Sequence, residues 1–131
     1  MNKLIVSALL VGFAVTVAAP AFAEDYASGA IKTMDTAKGG ILTDAKGMSL
    51  YTFDKDAAGV SNCNGDCAKK WPPVTAAAGA KADEDLSLVT RKDGSQQWAF
   101  KGKPLYLWQG DKKPGDMTGD GMGGVWHLAK E

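Results

Sequence analysis

The chain has 131 residues, 15 basic and 15 acidic side chains, one His and two Cys, and a formal net charge of zero. Charges of both signs are interspersed. No basic stripe exists to neutralise phosphates, which excludes a nucleic-acid surface, and no Lys/Arg-rich amphipathic helix argues for a membrane surface.

Residues 1–23 read as an export segment. Lys3 supplies the positive start, Leu4 to Ala19 form an apolar run, and Ala21-Phe22-Ala23 is an A-x-A cleavage site before Glu24. The run is short for a transmembrane anchor and lacks a basic stop-transfer flank. No Cys stands at the cleavage point to take an N-terminal lipid, so no stable membrane anchor is expected. The remaining 108 residues carry 14 basic and 15 acidic side chains and suit one small, periplasmic or secreted domain.

That domain repeats itself. Leu50-Tyr51-Thr52-Phe53-Asp54-Lys55-Asp56 returns 55 positions later as Leu105-Tyr106-Leu107-Trp108-Gln109-Gly110-Asp111. The same offset pairs Gly39 with Gly94, Gly47 with Gly102 and Trp71 with Trp126, without an insertion. One structural unit used twice follows, with units at 31–75 and 86–130 and a linker at 76–85.

Each unit reads as a three-strand meander, a long loop and a fourth strand. Gly29–Asp35 is the first strand, Lys38-Gly39-Gly40 a turn and Ile41–Asp44 the second strand. Lys92-Asp93-Gly94 and Gln97–Phe100 are the equivalents of the last two in the second unit, where Asp-Gly is a hairpin signal. Next come the two Leu-Tyr-x-aromatic strands. Period-two alternation puts Tyr51 with Phe53, and Tyr106 with Trp108, on one face, and Leu50, Leu105 and Leu107 on the other. Apolar area on both faces predicts strands central in their sheet. The fourth strands carry Trp71 and Trp126; Pro72-Pro73 keeps the first short or at an edge. Units this small bury little alone, so one joint all-β core is expected. The Ala-rich stretch Thr75–Asp85 reads as a linker of low order, where Gly79 weakens any helix.

Cys63 and Cys67 in an exported chain most simply form a disulfide across a tight Asn64-Gly65 turn. The alternative, a redox pair, has C-x-x-x-C rather than C-x-x-C spacing. Asp66 is a candidate cap for a helical turn through Lys70. His127 would have to serve any Ser-His-Asp or Cys-His centre, but no G-x-S-x-G elbow accompanies it, and alternation turns it away from the face of Trp126. Met117, Met122 and His127 recur every five residues and are a soft ligand set suited to copper. One imidazole and two thioethers on a Gly-rich loop are poorly preorganised, so no metal and no cofactor is expected. Asp111, Asp116 and Asp120 offer oxygen ligands but miss the EF-hand pattern. Gly119 to Gly124 resembles a phosphate cradle only in being Gly-rich. The aromatic side chains either fill the shared core or line a groove for a ligand.

The run Leu42 to Asp56, followed by Cys63-x-x-x-Cys67-Ala68-x-x-Trp71-Pro72-Pro73-Val74 and ending at Gly123-Gly124-Val125-Trp126-His127, resembles the bacterial secreted repeat family of unknown function, small predicted lipoproteins with a Tyr-x-aromatic-x-x-Asp motif. The likeness spans about Ile31 to Leu128. The chain departs from that description in lacking a lipobox Cys, and the resemblance brings no activity with it. The expected function is a non-enzymatic binding or envelope-interaction module, its ligand or envelope partner unknown. A copper-handling or redox accessory protein is the alternative, and a hydrolase the third.

Overall fold

A computed structural model describes residues 25–26, 29–83 and 85–131. The expected export segment lies outside them. Strands β1 (Asp25–Tyr26), β2 (Ile31–Thr36) and β3 (Gly39–Asp44) form one antiparallel sheet; β5 (Leu86–Thr90), β6 (Gln96–Phe100) and β7 (Lys103–Pro104) form another. Between them β4 (Tyr51–Phe53) pairs with β8 (Trp126–Leu128), which follows a 3₁₀ turn at Met122–Gly124. The only α-helix among the described residues is α1 (Asp66–Lys70).

Both aromatic stretches are central, but only the first is a strand, β4; contrary to expectation Leu105–Trp108 is not one, and Tyr106 is held by single bridges to Tyr51 and Pro73. Tyr51 and Tyr106 exchange both backbone hydrogen bonds, at 2.8 and 2.9 Å. Leu128 flanks Tyr51 on one side, and Pro73 flanks Tyr106 on the other. Since 51 answers 106 and 73 answers 128, the row is symmetric about the tyrosine pair. An approximate two-fold axis therefore passes between Tyr51 and Tyr106.

The single offset of 55 does not hold throughout. Leu42 accepts from Leu50 N–H and donates to Ala129, while Trp98 accepts from Leu105 N–H and donates to Val74. Leu42 thus answers Trp98, an offset of 56. The β2–β3 hairpin closes at Thr36–Gly39 over Ala37-Lys38, one residue earlier than the expected turn, whereas Arg91 N–H closes on Ser95 over Lys92-Asp93-Gly94. The extra residue is given back downstream. Asp44 closes on Met48 over three residues, while Phe100 pairs with Lys103 over the two residues Lys101-Gly102. Both of the latter have positive φ, 51° and 83°, as a two-residue hairpin of the right twist demands.

Trp71 is not in a strand. The two prolines after it leave single bridges, at Pro73 with Tyr106 and Thr75 with Gln97. Residues 75–83 hold no helix; Ala76 and Ala80 pack on the core.

The core has two chambers, one on each side of the tyrosine stretches. One holds Leu50, Leu105, Ile31, Leu42, Leu86, Trp98 and Phe100; the other holds Tyr51, Tyr106, Trp71, Trp126, Ile41 and Leu128. Each draws on both units, which is why both faces of these stretches are apolar. Leu107 packs on the first chamber, Phe53 and Trp108 on the second.

Cys63 and Cys67 are disulfide-bonded, with Cα atoms 5.2 Å apart. Gly65, at φ 58°, turns the chain into α1, and Asp66 is the first helical residue rather than its cap. Closing so short a loop stabilises by only ~2 kcal/mol on the chain-entropy model. Cys63→Ser is expected to lower the unfolding free energy by about that much and to leave the fold intact, as read by urea unfolding and far-UV circular dichroism.

Candidate functional site

The repeated motif is built to be exchanged. Tyr51 donates its hydroxyl proton to Asp111 Oδ2 at 2.7 Å, and Tyr106 donates to Asp56 Oδ2 at 2.7 Å. The tyrosine of each unit is held by the aspartate of the other. Each carboxylate is fixed in turn by its own loop: Asp56 Oδ1 accepts from Asn62 N–H, and Asp111 Oδ1 accepts from Thr118 N–H and Oγ1. Burial raises both phenols above their ordinary value, Tyr106 to about 12, and hydrogen bonding to the carboxylates adds to this. Burial also raises Asp56, against the hydrogen bonds from Tyr106 and Asn62 and the nearby Arg91 charge.

A phenol raised in the folded state contributes stability that is fully present below the unfolded value and is lost as pH rises through the folded one. For Tyr106 that window runs from 10 to about 12. In a spectrophotometric titration the Tyr51 and Tyr106 phenolate signals should therefore appear together with alkaline unfolding. Their appearance near pH 10 in folded protein would contradict the buried pairs.

The same symmetry stacks the other motif rings. Trp71 and Trp126 lie face to face, centroids 3.8 Å apart and 3° from parallel. Phe53 stacks outside Trp126 at 4.2 Å, and Trp108 packs outside Trp71 at 4.3 Å with its plane tilted by 32°. Tyr51 meets Trp71 edge-on, as Tyr106 meets Trp126. The result is a ladder Phe53–Trp126–Trp71–Trp108, its inner rungs buried and its outer rungs half-buried. Gly119 lets the last loop close over it, since a Cβ there would lie 2.8 Å from Trp71 Cη2 and 3.0 Å from Trp108 Cγ.

Beside this core is a cleft. β4 and the Lys101-Gly102 turn diverge from the tyrosine pair and meet again where Gly59 N–H donates to Gly102 O at 2.8 Å. The space between is about 260 Å³, lined by Phe53, Asp54, Asp56, Ala58, Lys101 and Lys103 among others. Thr52, Asp54 and Lys103 also line a second depression of about 230 Å³ that reaches His127 and Lys130. At the symmetry-related place Gly115 N–H meets Gly47 O. There Pro114 Cβ and the Met34 methyl lie 3.2 and 3.5 Å from where a Gly47 Cβ would stand; at Gly102 the nearest atom is Ala58 Cβ, at 3.7 Å.

The model of a secreted repeat of unknown function matches residues 32–75 and again 87–130. The chain belongs to this secreted repeat family. Neither the curated proteins nor the solved structures yield a match. No helix among the described residues is long and apolar enough to cross a membrane.

The candidate ligands have different surroundings in this secreted repeat. Met117 packs against the aromatic chamber, Met122 is exposed, and His127 Nε2 lies 2.8 Å from Asp54 Oδ2. His127 is half-exposed between buried Trp126 and Leu128, as alternation requires. Each loop carboxylate is engaged internally. Asp111 holds Tyr51, Asp116 Oδ2 accepts from Lys112 and Lys113 N–H, and Asp120 accepts from Leu128 N–H and pairs with Lys38 at 3.0 Å. Those hydrogen bonds hold Asp116 below the usual carboxylate range; for Asp120 they and the Lys38 charge outweigh the opposing effect of burial.

Arg91 escapes motif reading. It is 8% exposed and gives Nη1 to Ser61 Oγ and Gln97 Oε1, and Nη2 to Cys63 O and Asn64 Oδ1. A residue of the second unit thereby holds the disulfide loop of the first. The available signal was composition: this is the one Arg in the chain, among 14 Lys. Only its planar fork can bond four neutral acceptors at once.

Proposed function

We propose that this domain is a non-enzymatic, periplasmic or secreted binding module whose ligand enters the cleft between β4 and the Lys101-Gly102 turn. One observation carries this reading: a cleft of about 260 Å³ lies between β4 and the Lys101-Gly102 turn, where Ala58 stands 3.7 Å from a Gly102 Cβ position and the equivalent Gly47 meets Pro114 at 3.2 Å. The chemistry of the walls suggests the ligand. Asp54 is engaged by His127, and Asp56 by Tyr106 and Asn62. Lys103 and Lys130 have no ion-pair partner among the described residues, and Lys101 lies 5.3 Å over the Phe100 ring. Satisfied carboxylates beside unpaired ammonium groups favour an anionic ligand, and a half-buried Phe53 ring offers it an apolar wall. Carboxylate-bearing fragments of the cell envelope meet that description.

Catalysis receives less support. The His127–Asp54 pair lies in the second depression, yet among the described residues no hydrogen bond joins His127 to a Ser or Thr hydroxyl. Copper handling receives less as well, since Met117 is committed to aromatic packing.

The test is titration of the isotopically labelled domain with muropeptides that carry free carboxylates. Saturable amide shifts confined to residues 52–58 and 101–104, and lost in the Lys101→Glu, Lys103→Glu double variant, are expected. Absence of saturable shifts, or shifts centred elsewhere, would refute the cleft as the ligand site.

A further inference from the structure

The three tryptophans Trp108, Trp71 and Trp126 and the two tyrosine–aspartate pairs form one continuous set of contacts. Trp108 is half-buried, and beyond it Trp71 and Trp126 are 4% and 6% exposed. Ring centroids along this line are 4.3 and 3.8 Å apart. Each inner indole then meets a phenol edge-on, Trp126 with Tyr106 at 5.2 Å and Trp71 with Tyr51 at 5.3 Å. Each phenol in turn holds its proton against a carboxylate oxygen at 2.7 Å.

We propose that this assembly is an oxidation relay, which moves an electron vacancy from the accessible Trp108 through Trp71 and Trp126 to Tyr106, with Asp56 taking the proton. A one-electron oxidant of the peroxyl-radical class takes an electron from Trp108 and becomes its anion. Trp71 then reduces Trp108, and Trp126 reduces Trp71, each by one electron. In the last step Tyr106 gives one electron to the Trp126 radical cation and its Oη proton to Asp56 Oδ2. The products are a neutral indole, a neutral tyrosyl radical and a carboxylic acid, so charge and atoms balance. Tyr51 and Asp111 perform the same step on Trp71.

Five features favour this route. Rings in contact give the orbital overlap that electron transfer needs: Trp71 and Trp126 lie face to face, and Trp108 lies against Trp71 at a 32° tilt. Burial of the inner rungs keeps water from deprotonating the indole radical cation before the vacancy moves on. A phenol is readily oxidised at neutral pH only if a base accepts its proton in the same step, and both phenols have a carboxylate in place. Burial also strengthens Asp56 as a base by raising its pKa. Asp56 lines the cleft, so its acquired proton can pass to solvent. Trp98 stands apart, in the other chamber of the core.

The experiment is flash oxidation of the mature chain by photogenerated ruthenium(III) polypyridyl, followed by transient absorption. The tryptophan radical should decay as the tyrosyl radical grows, at a rate independent of protein concentration and slower in D₂O. Asp56→Asn in a Tyr51→Phe background keeps a hydrogen-bond acceptor but removes the base, and should slow tyrosyl formation by roughly a hundredfold. In Tyr51→Phe, Tyr106→Phe the tryptophan radical should persist. No tyrosyl radical in the wild type, a rate proportional to protein concentration, or a rate unchanged by Asp56→Asn would each overturn the relay. Should the variants fail to fold by near-ultraviolet circular dichroism, the solvent isotope effect and concentration dependence of the wild type decide alone.

Discussion

Trp126→Ala is expected to lower the unfolding free energy by about 3–5 kcal/mol, the range for deleting a large buried aromatic. Trp126 is 6% exposed and sits between Phe53 and Trp71, with Tyr106 edge-on. Its loss removes apolar area and three ring contacts together, and leaves a void between rungs that the strands cannot close. A domain of this size commands only about 5–15 kcal/mol in total, so the variant should be close to unfolding at growth temperature. Trp108→Ala should cost less, because Trp108 is already half-buried. Urea unfolding followed by far-ultraviolet circular dichroism reads both. A cost below about 1 kcal/mol for Trp126 would mean that the ladder is not part of the core.

The second large effect is expected for Asp111→Ala. Asp111 is 7% exposed, and its two oxygens accept from Tyr51 Oη, Thr118 N–H and Thr118 Oγ1. Truncation strands these donors, one of them a buried phenol that Gly119 N–H also contacts, at 3.2 Å. Leaving several buried groups unsatisfied costs about 3–5 kcal/mol. Asp56→Ala should cost less, because Ser61 Oγ stays beside Tyr106 Oη as an alternative partner. Equal and small losses in both variants would show that the carboxylates are solvated rather than structural.

The sequence carried the repeat, the all-β character and the disulfide, because each rests on local signals: a recurring motif, period-two alternation and two Cys in an exported chain. It did not carry the offset change, because the residue added at Lys92-Asp93-Gly94 is removed again before Leu105, leaving the flanking motifs 55 apart. The aromatic ladder was half legible. Alternation grouped Tyr51 with Phe53 and Tyr106 with Trp108, but nothing local shows that Trp71 and Trp126, each near the C-terminal end of its own unit, come together to stack. The exchange of aspartates had a signal that motif reading passes over. Five positions along an extended strand put Tyr51 and Asp56 on opposite faces and about 16 Å apart, so the two cannot serve each other unless the chain doubles back. The cleft was not legible at all, since its walls come from residues 52–58 and 101–104, which only the tertiary pairing brings together.

That exchange is the central claim, and double-mutant cycles on stability test it most directly. Tyr51→Phe combined with Asp111→Asn should show a coupling of about 1–3 kcal/mol, as expected for partners in one hydrogen-bonded pair. Tyr51→Phe combined with Asp56→Asn, the aspartate of its own motif, should be additive within about 0.5 kcal/mol. Coupling between Tyr51 and Asp56 with none between Tyr51 and Asp111 would show that each unit satisfies its own motif, and would contradict the exchanged architecture.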